Sequence, residues 1–99
     1  MIKLKESVKL HCLTPQALMG MMVLRDVFAK ESEPFTITSV SDSNHGRKSL
    51  HQHGRAFDVR TYNVMNATLM STRSAAALGR DWDVVLESDH IHVEWDPKG

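Results

Sequence analysis

Two segments of this chain, 55–61 and 90–95, alternate between apolar and polar residues. A two-residue period places successive side chains on opposite faces of a β-strand. One face would carry the apolar side chains, which are Phe57, Val59, Ile91 and Val93. The other would carry Ala56 and the polar side chains, which are Asp58, Arg60, His90, His92 and Glu94. The two segments are therefore predicted to be neighbouring strands of one sheet, with a buried apolar face and a face that gathers imidazoles and carboxylates.

A helix is predicted from about residue 15 to residue 31. Thr14 suits its N-cap position, and Pro15 suits the first helical position, where the missing N–H has no intrahelical partner to lose. Apolar residues then recur at helical spacing, namely Leu18, Met21, Met22, Leu24, Val27 and Phe28. The methionines between 19 and 22 are interpreted as adaptable core packing rather than as a ligand set or a partner surface.

The rest of the chain contains further β-rich and helical patterns. The predicted elements are a strand at 35–40, a loop at 41–48, a helix from the cap Asn66 to Leu78 that stops at Gly79, and a strand at 83–86. The order α, β, β, α, β, β predicts an α+β domain in which helices cover one face of a small, mainly antiparallel sheet. At 99 residues the chain is interpreted as a single domain, 1–99.

Composition argues against several classes of partner. Twelve basic and twelve acidic residues are spread along the chain, so capture of nucleic acid is not expected and a metal-dependent nuclease is disfavoured. No apolar run approaches membrane-spanning length, and the charged N-terminus lacks the apolar core of a signal peptide. The expectation is a protein made in the cytoplasm without membrane insertion. The sequence leaves the oligomeric state open, with a monomer expected.

Histidine is concentrated in and beside the alternating segments. Four of the six histidines fall in the strings Ser49–Asp58 and Asp89–His92. Zinc accepts nitrogen and oxygen ligands, and catalytic zinc keeps about three protein ligands and an open position. Cys12 is the only cysteine, so an intrachain disulfide and a cysteine-based zinc cluster are excluded. These strings therefore favour a metal that is held by imidazole and carboxylate.

The same strings resemble a zinc peptidase family, that of the D-Ala-D-Ala carboxypeptidases and L-alanyl-D-glutamate endopeptidases, which is related in fold to the hedgehog signalling domain. The family pattern has Ser, His, Gly, Ala and Asp in one motif and a carboxylate three residues before a histidine in a second. The matching residues are Ser49, His51, Gly54, Ala56, Asp58, Asp89 and His92. The resemblance implies a hedgehog/DD-peptidase-like fold and a bound Zn²⁺ ion. The ending His92–Glu94 is also similar to the His-Val-Glu ending of phage lysins in the family.

By this resemblance His51, Asp58 and His92 are the zinc ligands and Asp89 is the general base. A carboxylate beside the metal can accept a proton from the metal-bound water and pass it to the leaving amine. Regular strand alternation would turn Asp89 away from His92, so this role requires irregular backbone around Asp89. Glu87 is the alternative base.

Other residues of these regions are candidates for substrate contact or for support of the ligands. They are His53, His90, Ser49, Glu94 and Arg47. For His53 and His90 the competing interpretation is simple exposure to solvent, and for Glu94 it is the solvated end of a strand. Ser49 is expected to brace the His51 loop rather than act as a nucleophile, because no Ser-His-acid arrangement accompanies it.

One position departs from the family pattern. The family carries an arginine that helps polarise the substrate carbonyl in a turn after the first strand, whereas the aligned residues here are Ser39 to Asp42. Arg47 or Lys48 would have to replace this arginine, or the metal would stabilise the oxyanion alone. Loss of one such donor costs on the order of 100-fold in rate. The departure favours an alternative function, a non-catalytic zinc-stabilised binding or structural module.

The primary functional hypothesis is a zinc-dependent peptidase that hydrolyses an amide bond in bacterial peptidoglycan stem peptides, of the D-Ala-D-Ala or the L-Ala-D-Glu type. This hypothesis rests on the resemblance, which makes Zn²⁺ the cofactor and the peptidoglycan peptide the partner. A phage or prophage lysin without its own export signal would reach the cell wall only through a separate pore.

Overall fold

The computed structural model describes residues 2–6, 8, 13–40 and 54–97. The elements in chain order are β1 (Ile2–Leu4), α1 (Pro15–Lys30), β2 (Phe35–Val40), β3 (Ala56–Arg60), α2 (Ala67–Leu78), β4 (Trp82–Leu86) and β5 (His90–Trp95). The predicted α+β class is confirmed, and the predicted helices and strands are present with ends that agree within one residue. β1 is an addition that the sequence patterns did not predict.

The strands form one sheet in the order β1-β2-β3-β5-β4. β1 pairs with β2 in parallel, and every other neighbouring pair is antiparallel. β3 and β5 are the two segments whose alternation predicted them to be neighbours, and they pair directly with Asp58 opposite His92. This pairing puts the polar residues of both strands on a common face at the middle of the sheet.

The opposite face of the sheet is the floor of the hydrophobic core. The sheet contributes fully buried side chains from its three central strands, namely Ile37, Phe57, Val59, Ile91 and Val93. The helices cover them with Met21, Leu24, Phe28 and Met70. Burial of each large apolar side chain stabilises the fold by roughly 1.5–3 kcal/mol relative to exposure. Stability is therefore concentrated on the helix-covered side of β3 and β5.

The start of α1 confirms the predicted cap. The Thr14 hydroxyl oxygen accepts a hydrogen bond from the Ala17 backbone N–H at 3.2 Å, and Pro15 is the first helical residue. The helix ends at Lys30, one residue earlier than expected, and Ser32 then adopts a φ of 57°, which is uncommon for a residue other than glycine. This turn directs the chain into β2.

The face that α1 buries is narrower than its apolar stripe. Met21 is buried as predicted, whereas Met19 is 68 % exposed, Met22 is 45 % exposed and Leu18 lies at the surface. The interpretation of the whole Met19 to Met22 region as core packing is therefore wrong for two of its three methionines. The buried positions are centred on Ala17, Gly20, Met21, Leu24 and Phe28.

Gly20 allows α1 to approach the edge strand β4 closely. A Cβ atom built at this position would overlap the indole ring of Trp82, which packs against the core. The absence of a side chain is thus a packing requirement in the middle of the helix, where glycine otherwise costs about 1 kcal/mol relative to alanine. Trp82 therefore lies at the edge of the core.

α2 begins and ends at its predicted caps. The Asn66 side chain accepts a hydrogen bond from the Leu69 N–H at 3.0 Å, and Gly79 ends the helix with a φ of 93°. The Glu33 carboxylate accepts hydrogen bonds from the N–H groups of Met65 and Asn66, at 3.0 and 3.2 Å. Glu33, which follows α1, therefore holds the backbone at the point where α2 begins.

Within the described part of the chain, neither helix combines the length and the apolar character that crossing a membrane requires.

Candidate metal centre on the open sheet face

Five side chains on the face opposite the core form a continuous chain of contacts. In order of contact, this polar row consists of Glu94, His92, Asp58, His90 and Asp89. Imidazoles and carboxylates alternate along it, so that each histidine lies between two carboxylates. The sequence predicted that Asp58, His90, His92 and Glu94 share a face, and the strand register confirms that placement.

Asp58 and His92 are at the centre of the row. The Nδ1 atom of His92 donates a hydrogen bond to Oδ1 of Asp58 at 2.9 Å. Both side chains are partly shielded from solvent, with 23 % of Asp58 and 35 % of His92 exposed. The two predicted metal ligands that the structure describes therefore present a nitrogen and an oxygen to the same point.

A β-bulge in β2 places a hydroxyl group beside Asp58. Ile37 lies opposite Val59, but the next aligned pair is Ser39 with Asp58, which leaves Thr38 as the extra residue. The Ser39 hydroxyl donates a hydrogen bond to Oδ2 of Asp58 at 2.9 Å. The bulge thus fixes one carboxylate oxygen and leaves the other to His92.

Glu94 contacts the far side of the His92 ring. The Nε2 atom of His92 donates to Oε1 of Glu94 at 3.1 Å. A carboxylate that holds one ring nitrogen fixes the orientation of the imidazole and makes the other nitrogen a better metal ligand. The geometry favours the supporting role for Glu94 over the alternative of a solvated strand end, because its side chain is only 28 % exposed.

Asp89 is connected to the row through His90. Nδ1 of His90 donates to Oδ1 of Asp89 at 2.8 Å, and Nε2 of the same ring lies 3.9 Å from Oδ1 of Asp58. The backbone bends at Ser88 and Asp89 before β5 begins. This is the irregular backbone that the role of Asp89 as a base requires. Glu87, the alternative base, is exposed beside the same bend.

The row perturbs the protonation of its central pair. The hydrogen bond to Asp58 raises the pKa of His92 to about 9; burial opposes this rise, and the hydrogen bond to Glu94 adds to it. For Asp58, burial raises the pKa, but the hydrogen bonds from His92 and Ser39 together with the positive charges of His90 and His92 outweigh it. The pKa of Asp58 is therefore lowered from its ordinary value. Without a metal, the pair is an imidazolium and a carboxylate at neutral pH.

The remaining predicted site residues lie outside the described residues. They are His51, predicted as the third zinc ligand, and His53, Ser49 and Arg47, together with Lys48. Among the residues that the structure does describe, no group of three or more His, Cys, Asp or Glu side chains is arranged to hold a metal. The zinc ligand set thus remains a prediction, of which the structure describes two members.

Asp58 and His92 fit a zinc ion as far as two ligands can. They offer the nitrogen and oxygen donors that zinc prefers, and their donor atoms already converge at hydrogen-bonding distance. Each also has a fixed partner on its far side, Ser39 for Asp58 and Glu94 for His92. A catalytic site needs about one further protein ligand. Its predicted source is His51.

The end of the segment that contains His51 is anchored to the first helix. The carbonyl oxygen of Gly54 accepts hydrogen bonds from the Thr14 backbone N–H at 2.9 Å and from the Thr14 hydroxyl at 3.1 Å. Gly54 is buried and has a φ of 71°, a conformation that favours glycine. The point from which the chain enters β3 is therefore fixed by α1.

Sequence reasoning missed Ser39 as a site residue and gave Arg60 no specific role. The residue pattern within 35–40 does not reveal the bulge, so no feature of this segment indicated that Ser39 lies on the same face as Asp58. Arg60 was placed on that face by the strand alternation alone. In the structure its guanidinium carbon lies 4.8 Å from the centre of the Tyr62 ring, a cation–π arrangement next to the polar row.

Comparison of the chain with protein-family models, with curated proteins and with solved structures found no match.

Proposed function

We propose that this chain is a zinc-dependent peptidase that hydrolyses an amide bond in peptidoglycan stem peptides, with the fold of the carboxypeptidase and endopeptidase family that its motifs resemble. The observation that supports this proposal best is the contact between His92 Nδ1 and Asp58 Oδ1 at 2.9 Å on the sheet face opposite the helices. These two side chains are 34 residues apart, both belong to the family motif, and both remain partly exposed.

In this proposal His51, Asp58 and His92 hold the ion. When bound, zinc supplies Lewis acidity toward a carbonyl oxygen and lowers the pKa of water. Glu94 keeps the His92 ring in place through Nε2, and Ser39 keeps the Asp58 carboxylate in place through Oδ2. The protein thus contributes an orientation for both described ligands that does not depend on the ion.

Asp89 is the proposed general base. Its carboxylate accepts a proton from the attacking water and then delivers it to the nitrogen of the leaving amine. His90 positions this carboxylate, since its Nδ1 atom contacts Oδ1 of Asp89 while its Nε2 atom faces Asp58. The side chain of Asp89 is 78 % exposed, so it is accessible to a substrate.

The test compares three variants on purified peptidoglycan, with bound zinc measured by elemental analysis. Asp89→Ala should keep stoichiometric zinc and release fragments about 100- to 10,000-fold more slowly, the usual contribution of a general base. His51→Ala should lose zinc. Glu87→Ala is the matched control, because this exposed carboxylate lies two residues away beside the same bend, and it should retain the wild-type rate.

The second candidate is a zinc-stabilised module without catalysis. It is favoured by the residues Ser39 to Asp42, which offer no arginine where the family carries one. The same experiment separates the two candidates. Zinc binding by the wild-type chain without any release of fragments would support the module, and wild-type release by Asp89→Ala would contradict the assignment of the base.

A further inference from the structure

Among the residues that the structure describes, the sheet face opposite the core carries one arginine beside the polar row, Arg60. Arg60 is opposite His90 in the β3–β5 register and two residues from Asp58 along β3. Its guanidinium is stacked on Tyr62, whose side chain is 75 % exposed. The stacking restricts a flexible side chain and leaves the edge of the guanidinium, with its N–H donors, available to a ligand.

The acidic groups of this face do not neutralise Arg60. Asp58 is engaged by His92 and Ser39, Asp89 by His90, and Glu94 by His92. Across the described residues, no carboxylate lies within salt-bridge distance of the Arg60 guanidinium. Arg60 is therefore a cation beside the row that no described carboxylate neutralises, and it would attract an anionic group of a ligand.

We propose that Arg60 is a substrate-binding residue that recognises a free carboxylate on the residue following the scissile bond. This inference rests on the proposed function. Both candidate bonds share this chemistry: in D-Ala-D-Ala the leaving residue carries the terminal carboxylate, and in L-Ala-D-Glu the D-residue, linked onward through its side chain, keeps a free α-carboxylate. A planar guanidinium matches such a group with two parallel hydrogen bonds.

The spacing is compatible with this recognition. The Cα atoms of two residues that are two apart in a strand are separated by about 6.6 Å, which applies to Asp58 and Arg60. The carboxylate of the leaving residue is about one residue from the scissile carbonyl, or roughly 3.5 Å of chain. The long side chain of Arg60 can cover the difference between these two distances. The stem peptide would therefore lie along β3 with its leaving residue toward Tyr62.

The chain offers a matched control. Arg55 is also stacked on an aromatic ring, with its guanidinium carbon 5.0 Å from the centre of the Trp95 ring. It is five residues from Arg60, an odd separation that places it on the opposite side of the strand, and its partner Trp95 has the same parity as Ile91 and Val93. Arg55→Gln therefore removes the same charge and a similar stacking contact away from the row.

The kinetic test uses an N-acetylated tripeptide ending in D-Ala-D-Ala and an L-Ala-γ-D-Glu peptide, each as the free acid and as the corresponding amide. The zinc-loaded wild-type protein should prefer the acid by about 10- to 100-fold in kcat/KM, the range for a hydrogen bond to a charged group. In Arg60→Gln this preference should disappear, because kcat/KM should fall for the acid and stay unchanged for the amide. Arg60→Lys should keep part of the preference, and Arg55→Gln should keep all of it.

A binding test gives a readout that does not depend on turnover. Tyr62 is the only tyrosine of the chain, so 3-fluorotyrosine introduces one fluorine signal next to Arg60. The acid peptides should shift this signal in the wild-type and Arg55→Gln proteins and leave it unchanged in Arg60→Gln. The amides should have no effect. Circular dichroism of each variant establishes that the fold is retained.

The outcomes distinguish this inference from the proposed function. Equal cleavage of acid and amide by the wild-type protein, or an acid preference retained by Arg60→Gln, would overturn the role of Arg60 while leaving the peptidase in place. A fluorine shift that depends on Arg60, without hydrolysis, would support the carboxylate site and contradict the peptidase. If neither a fluorine shift nor hydrolysis is observed, both the role of Arg60 and the proposed peptidase function are overturned.

Discussion

The two faces of β3 and β5 are built from alternating residues of the same two strands, but their side chains are held in different ways. On the helix-covered face, Phe57 and Val93 are at most 1 % exposed and are held by apolar packing. On the open face, Asp58 and His92 remain partly exposed and are held by hydrogen bonds that a ligand can replace. The difference implies that one face sets the stability of the fold and that the other can change its occupants without unfolding it.

The largest expected effect comes from a cavity in the buried face. Phe57→Ala should lower the free energy of unfolding by about 3–5 kcal/mol, because it removes a fully buried ring from the core. Chemical denaturation with two-state analysis measures this loss. The adjacent Asp58→Asn, on the other face, should cost about 1 kcal/mol. Similar losses for both variants would contradict the conclusion that the helix-covered face sets the stability of the fold.

The next effect tests the open face through its proposed ligand. Zinc at 100 times its dissociation constant should raise the stability of the wild-type protein by about 2.7 kcal/mol, and chelation should reverse the gain. Asp58→Asn should abolish this response, whereas Glu94→Gln should bind about 10- to 100-fold more weakly. Asp26→Asn, which changes an exposed carboxylate on α1, serves as the control for differential scanning fluorimetry. An unchanged melting temperature on addition of zinc to the wild-type protein would contradict the metal centre.

A third prediction concerns the contact between α1 and the edge strand. Gly20→Ala places a methyl group against the ring of Trp82 and should destabilise the fold by about 1–3 kcal/mol, despite the better helix propensity of alanine. Trp82→Leu in the same background should recover part of the loss by making room. Stabilisation by Gly20→Ala alone would show that the indole ring moves aside freely.

The smallest effect is a pH dependence of the metal-free protein. The folded pKa of His92 is raised to about 9 from an unfolded value of 6.5, so its contribution is complete below pH 6.5 and declines as the pH approaches 9. The contribution is about 1 kcal/mol, since a third of the side chain is exposed and solvent screens the pair. Asp58, with a lowered pKa, loses its contribution only in acid, as the pH falls through its folded value. Urea melts from pH 6 to pH 10 should show a slope that His92→Gln removes.

The sequence predicted best what depends on periodicity and local chemistry. The caps Thr14 and Asn66, the stop at Gly79 and the shared face of Asp58 and His92 all follow from short-range rules, and the structure confirms each. The role of Asp89 required irregular backbone, because its position in the motif conflicts with strand alternation, and the chain bends at this residue. Its role as a base remains a prediction.

The features that the sequence did not predict depend on long-range pairing. β1 contains only three residues, two of them apolar, and it is a strand because β2 offers a parallel edge. The bulge at Thr38 follows from the register between β2 and β3, which no pattern within 35–40 specifies. The exposure of Met19 and Met22 has a similar origin, since the sheet contacts only part of the apolar stripe of α1.

The anchoring of Gly54 by Thr14 has a consequence for how such a chain can diversify. The segment before Gly54 ends at a position that a helix cap sets from 40 residues away. Lengthening the connection between β2 and Gly54 costs only about 0.6 kcal/mol for each doubling, because closure entropy grows slowly with length. Natural variation or laboratory grafting that keeps the proposed ligand His51 could therefore alter the rest of this connection in length and composition while Asp58 and His92 keep their register, so that new substrate preferences arise on an unaltered framework.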